Sequence, residues 1–225
     1  MALYCCINGV SELFFSLVFD TNKNTFACKR KYNHQQVTQK PRLYELLIVM
    51  NRKLSNDELG RIAPADFKTT DKLNVVVVLD DVRSLNNVGS IFRTADAFLI
   101  KKIYLCGITG KPPHKDIQKT ALGATETVDW EHIQDINSCI DQLTEEGYDI
   151  IAIEQAEQTT MLENIKFETT KRYALVLGNE VKGVNQDVVS KANIVLEIPQ
   201  KGTKHSLNVS VSGGIVLWEA FRQLY

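Results

Sequence analysis

Residues 73–93 read Leu73-Asn-Val-Val-Val-Val-Leu79-Asp-Asp-Val-Arg-Ser-Leu-Asn-Asn-Val-Gly-Ser-Ile-Phe-Arg93. The first third is a β-branched run with no polar alternation, the pattern of a strand buried on both faces of a sheet. The period then changes. Val88, Ile91, Phe92 and Ala95 recur at helical spacing, which predicts a helix over 88–98. A strand that enters a helix through a polar loop is half of a βαβ unit, and the rest of the chain repeats the alternation. Strands are predicted over 103–106, 127–130, 149–153, 174–177 and 194–198, and helices over 114–122, 133–146, 187–191 and 209–223. The fold class that follows is α/β, a mostly parallel sheet with helices on both faces. Ahead of the first strand, Ser55 and Glu58 have capping-box spacing for a short helix that Pro64 is expected to end.

The 225 residues include 26 Lys+Arg against 27 Asp+Glu, a net charge of −1, so strong polyanion binding through overall charge is excluded. A nucleic-acid partner then requires a local basic patch. The five cysteines (Cys5, Cys6, Cys28, Cys106, Cys139) show no CxxC spacing, and the four histidines form no HExxH or HxxxH pair. That argues against a disulfide framework and a metal site, and for a reducing, cytoplasmic compartment. The apolar run over 13–19 is far shorter than the ~20 residues of a membrane span. It has neither a basic segment before it nor a small-residue cleavage site after it, so neither a signal peptide nor a membrane association is expected.

Residues 1–49 differ in character. They are rich in phenylalanine (Phe14, Phe15, Phe19, Phe26) and cysteine, and basic residues outnumber acidic ones. No period runs through 23–39, and Met50 opens a plausible natural start. The division expected is an extension over 1–49, poorly ordered or non-native, or alternatively a basic RNA-touching arm. A helical lead-in over 50–72 and one α/β domain over 73–225 follow.

Ligands of open parallel sheets sit beyond the carboxyl ends of the strands. Three clusters occupy such places: Asp80–Arg93 in the stretch above, Gly178-Asn-Glu-Val-Lys-Gly183, and Pro199-Gln-Lys-Gly-Thr-Lys-His-Ser-Leu-Asn208. The second has P-loop glycine spacing, but Val184 stands where a P-loop needs lysine. No GxGxxG or GxSxG motif follows any strand. Asp80 and Asp81 read as the start of a loop rather than an acid/base pair. His205 beside Ser206 lacks a third partner for nucleophilic catalysis.

Taken together, the clusters resemble the three motifs of the SpoU family of TrmH-like RNA 2′-O-ribose methyltransferases. The matching residues are Asn87-x5-Arg93-Thr-Ala, Leu177-Gly-Asn-Glu-Val-Lys-Gly183, and Ile198-Pro with Ser206-Leu-Asn-Val-Ser210. Order and spacing both fit, and Thr120-Ala-Leu-Gly-Ala124 resembles the family's linker. The resemblance implies a SPOUT fold with a C-terminal trefoil knot, S-adenosyl-L-methionine as cofactor, an RNA substrate (tRNA or rRNA), and a homodimer that completes its site across the interface. Carried over by position, Arg93, Asn87, Glu180, Ser206 and Asn208 are the implied catalytic residues. Ile153, Gly178, Ile198, Ser206 and Leu207 are the implied cofactor-binding residues, and no metal is implied.

Several readings stay open from sequence alone. Arg93 acts either as a base or as an electrostatic stabiliser of the ribose oxygen; the second is favoured because a guanidinium pKa exceeds about 12. Glu180 serves the chemistry or merely the dipole of a nearby helix, and Ser206 contacts ligand or caps the last helix. Lys182, Lys201 and Lys204 form a phosphate patch or a solvated loop. Trp130 and Trp218 are expected in the core or at the dimer interface. One departure from the family is that Leu99-Ile100 follow Phe98 where relatives usually carry glycine. The chain also runs out at Tyr225 without the tail of some tRNA-acting relatives, and no folded RNA-binding domain is evident ahead of the motifs. The latter tilts the expectation slightly towards tRNA. The alternative function is a non-catalytic RNA-binding or assembly protein that keeps the fold; an enzyme acting on a base nitrogen is disfavoured by Asn87 and Arg93.

Overall fold

A computed structural model describes residues 52–225, together with two earlier strands, β1 (Ser16–Asp20) and β2 (Thr25–Lys29), which pair antiparallel. The chain divides into two units, Met1–Lys53 and Leu54–Tyr225. Apart from that hairpin, the expectation for residues 1–49 lies outside the described residues.

In the second unit, Ser55 precedes a 3-10 turn over Asn56–Leu59, where the Glu58 carboxylate accepts from both the Ser55 backbone N–H and its hydroxyl. Gly60, not Pro64, ends this turn. Pro64 instead opens the short helix α1 (Pro64–Phe67), because the first helical position needs no backbone donor.

The elements that follow are β3 (Leu73–Asp80), α2 (Leu85–Ala97), β4 (Ile100–Cys106), α3 (Lys115–Ala121), α4 (Ala124–Thr127), β5 (Asp129–Ile133) and α5 (Ile136–Glu145). Then come β6 (Tyr148–Ile153), β7 (Thr160–Met161), β8 (Arg172–Leu177), α6 (Gln186–Lys191), β9 (Ile194–Glu197) and α7 (Val209–Leu224). The sheet order is β5-β4-β3-β8-β6-β9-β7, and every pairing is parallel. The predicted strand over 127–130 and helix over 133–146 shift in detail. Thr127 ends α4, and Ile133 pairs with Cys106 as the last residue of β5.

The valine run does what its composition requires. Val75, Val77 and Leu79 face one layer with Ile91, Phe92, Ile117 and Leu217; Val76 and Val78 face the other with Tyr104, Cys139, Ile140 and Val188. Helices therefore cover both faces. Each fully buried valine contributes about 1.5–3 kcal/mol, which suits β3 to its place inside the sheet between β4 and β8. No helix among the described residues is long and apolar enough to cross a membrane. Cys106 and Cys139 are free and buried; the hydrogen bond between the two thiols, and then burial, push Cys106 well above the ordinary thiol pKa.

Candidate active site

The carboxyl ends of β6, β8 and β9 open onto a cavity of about 1300 Å³. The five implied cofactor residues, Ile153, Gly178, Ile198, Ser206 and Leu207, all line it, as do Glu180 and Asn208. Backbone comes close here because side chains are absent. A Cβ on Gly178 would stand 2.2 Å from the Gly183 carbonyl carbon and from the Val184 nitrogen.

The second cluster is a tight hairpin. Asn179 and Gly183 exchange backbone hydrogen bonds of 3.0 and 2.9 Å, and the Asn179 side-chain oxygen accepts from the N–H groups of Val181 and Lys182. The Asn179 amide donates to the Asp81 carbonyl at 2.7 Å, which docks the hairpin on the loop after β3.

Glu180 then reaches the helix that follows. Its carboxylate accepts from the backbone N–H of Arg83 and of Ser84, each at 2.9 Å, and from the Asn87 amide at 3.0 Å. Burial alone would raise the pKa of Glu180, but these donors outweigh it and hold the carboxyl below its ordinary value. Glu180 thus does what a carboxylate at a helix N-terminus does. Asn87 continues the chain of bonds, its side-chain oxygen accepting from the Asn208 amide at 3.2 Å and the Ser210 hydroxyl at 3.4 Å. Asn208 in turn caps α7, accepting from the N–H of Ser210 and Val211. The α7 cap is therefore Asn208 and not Ser206, which sits two residues earlier on the cavity wall.

Asn87, Glu180 and Asn208, one from each cluster, are brought into one hydrogen-bonded line. Arg93 is not part of it. Six residues at about 100° each turn Arg93 roughly a third of a revolution away from Asn87 on α2. It is exposed, does not line the cavity, and has no hydrogen-bond or ion-pair partner among the described residues.

Sequence reasoning passed over Glu154. It follows β6 directly and lines the cavity, where one carboxylate oxygen accepts from Val184 N–H at 3.1 Å and the other from Gln155 N–H at 2.9 Å. The same carboxylate fills the space beside Gly183, whose φ of +72° already favours glycine. Gln155 adds a cross-tie, its amide donating to the His205 carbonyl at 3.1 Å. Only the position of a single acid after a strand marked Glu154 in the sequence; its partner lies on a distant loop. Among the described residues no group of His, Cys, Asp and Glu side chains is placed to hold a metal ion.

The sequence pattern of the SpoU rRNA Methylase family matches residues 74–218, which span β3 through α7 and all three clusters. A tRNA (guanosine(18)-2′-O)-methyltransferase of Aquifex aeolicus is 32% identical over 154 residues, covering 67% of this chain and 70% of that protein. An uncharacterised tRNA/rRNA methyltransferase of Borreliella burgdorferi is 33% identical over 149 residues, 66% of this chain and 64% of its own length. Among solved structures, the AdoMet-bound rRNA methyltransferase of Sinorhizobium meliloti superposes with a TM-score of 0.64 at 28% identity, over 73% of this chain and 62% of that one. The A. aeolicus TrmH/SpoU tRNA modifying enzyme gives 0.63 at 29% identity, over 71% and 79%. The match thus spans less than two thirds of the Borreliella and Sinorhizobium proteins.

Proposed function

Since the chain belongs to the SpoU rRNA methylase family, we propose that it is an RNA methyltransferase, transferring the methyl group of S-adenosylmethionine to a ribose 2′-hydroxyl of tRNA or rRNA. The observation that carries this reading is the cavity at the strand ends, with the Asn87–Glu180–Asn208 line of hydrogen bonds at its edge. The cavity, about 1300 Å³, has room for an adenosine-containing cofactor and a lining whose chemistry suits one. Ile153, Ile198 and Leu207 offer apolar walls, and Gly178 and Gly183 let backbone polar groups approach a ligand closely. The bound sulfonium supplies an electrophilic methyl group. The chain's own residues must orient the ribose and ease the loss of its weakly acidic proton. Alignment of the reacting atoms lowers the barrier by several kcal/mol. Arg93, permanently cationic, stabilises the negative charge growing on the 2′-oxygen, while Asn87 and Asn208 hold the helix ends that frame the site and Ser206 contacts the ligand.

Arg93 lies off the cavity in its own chain, which supports a homodimer in which each protomer lends this guanidinium to the other. An exposed stripe on α7 and the residue that follows it supports the same reading: Val211, Trp218 and Tyr225 recur every seven residues and are 50, 51 and 82% exposed. In this reading the segment after β9 threads the trefoil knot, tied by Gln155 to His205, and the protein works in the reducing cytoplasm that its free thiols suit. The domain over 73–225 carries the activity, and the extension over 1–49 is dispensable for it.

The test is direct. Full-length protein is incubated with S-adenosylmethionine and unmodified bulk tRNA or rRNA in separate reactions, and each RNA is digested to nucleosides for mass spectrometry. A 2′-O-methylnucleoside should appear in one reaction and vanish with Arg93→Ala. Methylation on a base, or an Arg93→Ala enzyme as active as the parent, would overturn the reading.

A further inference from the structure

Several cations of the α/β domain are held in ion pairs: Lys102 with Glu131 at 2.7 Å, Lys171 with Asp149 at 3.5 Å, Lys191 with Asp141 at 2.9 Å, and Arg222 with Glu219 at 2.6 Å. The carboxyl-end loops carry a group of cations that are not. Arg83 after β3, Lys111 after β4, Lys182 after β8, and Lys201 and Lys204 after β9 are all exposed, and none has a hydrogen bond or ion pair through its side chain among the described residues.

Four carboxylates at this end are turned inward. Asp80 accepts from Asn185 N–H at 2.8 Å, Asp81 from Ile108 N–H at 2.9 Å, Glu154 from Val184 N–H at 3.1 Å, and Glu180 from Arg83 and Ser84 N–H. Of the acids lining the cavity, Glu157 alone lacks such a bond among the described residues. The loops therefore satisfy their own N–H groups with acids and leave their cations pointing at solvent. A chain of net charge −1 acquires a basic rim in this way; Lys182 lines the cavity, and Lys201 and Lys204 adjoin its lining residues Gln200 and His205.

We propose that this rim is the docking surface for the phosphate backbone of the RNA substrate, with Arg83, Lys111, Lys182, Lys201 and Lys204 contacting successive phosphates. The proposal rests on the methyltransferase reading for the identity of the polyanion, and adds where it lies. Lys182 stands on the hairpin beside Glu180, and Lys201 and Lys204 lead into Ser206, so phosphates held there bring the intervening ribose to the cavity mouth. Cations without protein partners suit this task, because contact with phosphate releases counterions from RNA without first breaking an ion pair.

The molecule contains its own control. Lys68, Lys101 and Lys166 are equally exposed and equally unpartnered among the described residues, but lie near the amino ends of the strands. The triple variants Lys111→Gln/Lys201→Gln/Lys204→Gln and Lys68→Gln/Lys101→Gln/Lys166→Gln change the net charge identically. Binding of unmodified bulk tRNA and rRNA by each full-length variant is measured from low to moderate salt, alongside the thermal midpoint and cofactor affinity. The rim variant should bind roughly tenfold more weakly and lose about 2–3 from the slope of log affinity against log salt. The amino-end variant should match the parent, and both should melt and bind cofactor as the parent does. Equal losses in the two variants would reduce the effect to net charge and overturn the proposal. Unchanged binding by the rim variant would place RNA elsewhere and overturn it as well. Binding is read without turnover. Failure to methylate with selective loss of binding in the rim variant sinks the enzymatic reading alone, and methylation with unchanged binding sinks the surface alone.

Discussion

Glu180 commits both carboxylate oxygens to the N-terminal end of α2 and holds the Asn87 amide there. Glu180→Gln leaves one backbone donor facing an amide and should cost about 1 kcal/mol at pH 7, modest because the residue is largely exposed. The folded pKa lies below the ordinary value, so this stabilisation is complete above about pH 4.3 and disappears as the pH falls through the folded value. Urea titrations of parent and variant should thus differ at pH 7 and draw together as the pH falls below the ordinary carboxylate range; a gap independent of pH would refute the assignment. Leu99 poses a different problem. It has φ of +54° and still packs against the core. The left-handed conformation costs a non-glycine residue roughly 1–2 kcal/mol. Leu99→Gly removes that strain along with the packing, whereas Leu99→Ala removes packing alone. Glycine should therefore be the better tolerated of the two, the reverse of the usual order, and paired thermal melts will show which holds.

At the scale of elements, α2 is positioned by a close approach that its sequence barely announces. A Cβ on Gly89 would stand 2.1 Å from the Thr120 hydroxyl and 2.3 Å from the Ile117 carbonyl. Gly89→Ala must push α3 away from α2, at a cost of about 1–3 kcal/mol, and should weaken cofactor binding because Asn87 and the Glu180 contacts ride on the same helix. A variant that melts with the parent would show that the two helices have slack. The central strands and long helices were legible because burial on both faces leaves unbroken apolar runs, and β3 is the clearest case. The strand β7 and the helix α4 were not foreseen, since two and four residues are too few to carry a period. Pro64 misled for a related reason: the same residue that stops one helix starts another. In the site, Asn87, Glu180 and Asn208 could be named from motif order, but their mutual hydrogen bonds could not. Arg83 and Glu180 lie 97 residues apart, and no local rule predicts such a contact. Glu154 carried no motif at all.

At the scale of the whole molecule, an apolar ridge along α7 is exposed among the described residues. Trp218 packs its ring 5.8 Å from Phe98 while remaining 51% exposed, and Phe221 stacks on Tyr225 at 4.8 Å. If two copies meet along this ridge, Trp218→Glu should convert a dimer into a monomer in light scattering and abolish methyl transfer, while leaving the thermal midpoint of the monomer within a few degrees of Trp218→Ala. A parent protein that is already monomeric at micromolar concentration would remove the proposed sharing of Arg93. Assembly of the fold has its own consequence for the line of bonds through Glu180, Asn87 and Asn208. Its three members are separated by most of the domain, and β3 pairs with β8 only after a hundred intervening residues have been placed. Contacts of such long reach form late. A chain still emerging from the ribosome, with α7 not yet made, lacks the Asn208 and Ser210 donors to the Asn87 side-chain oxygen and has no finished cavity wall. On the proposed function, a chain clipped before α7 should therefore fail to take up the methyl donor, whatever the state of its remaining strands.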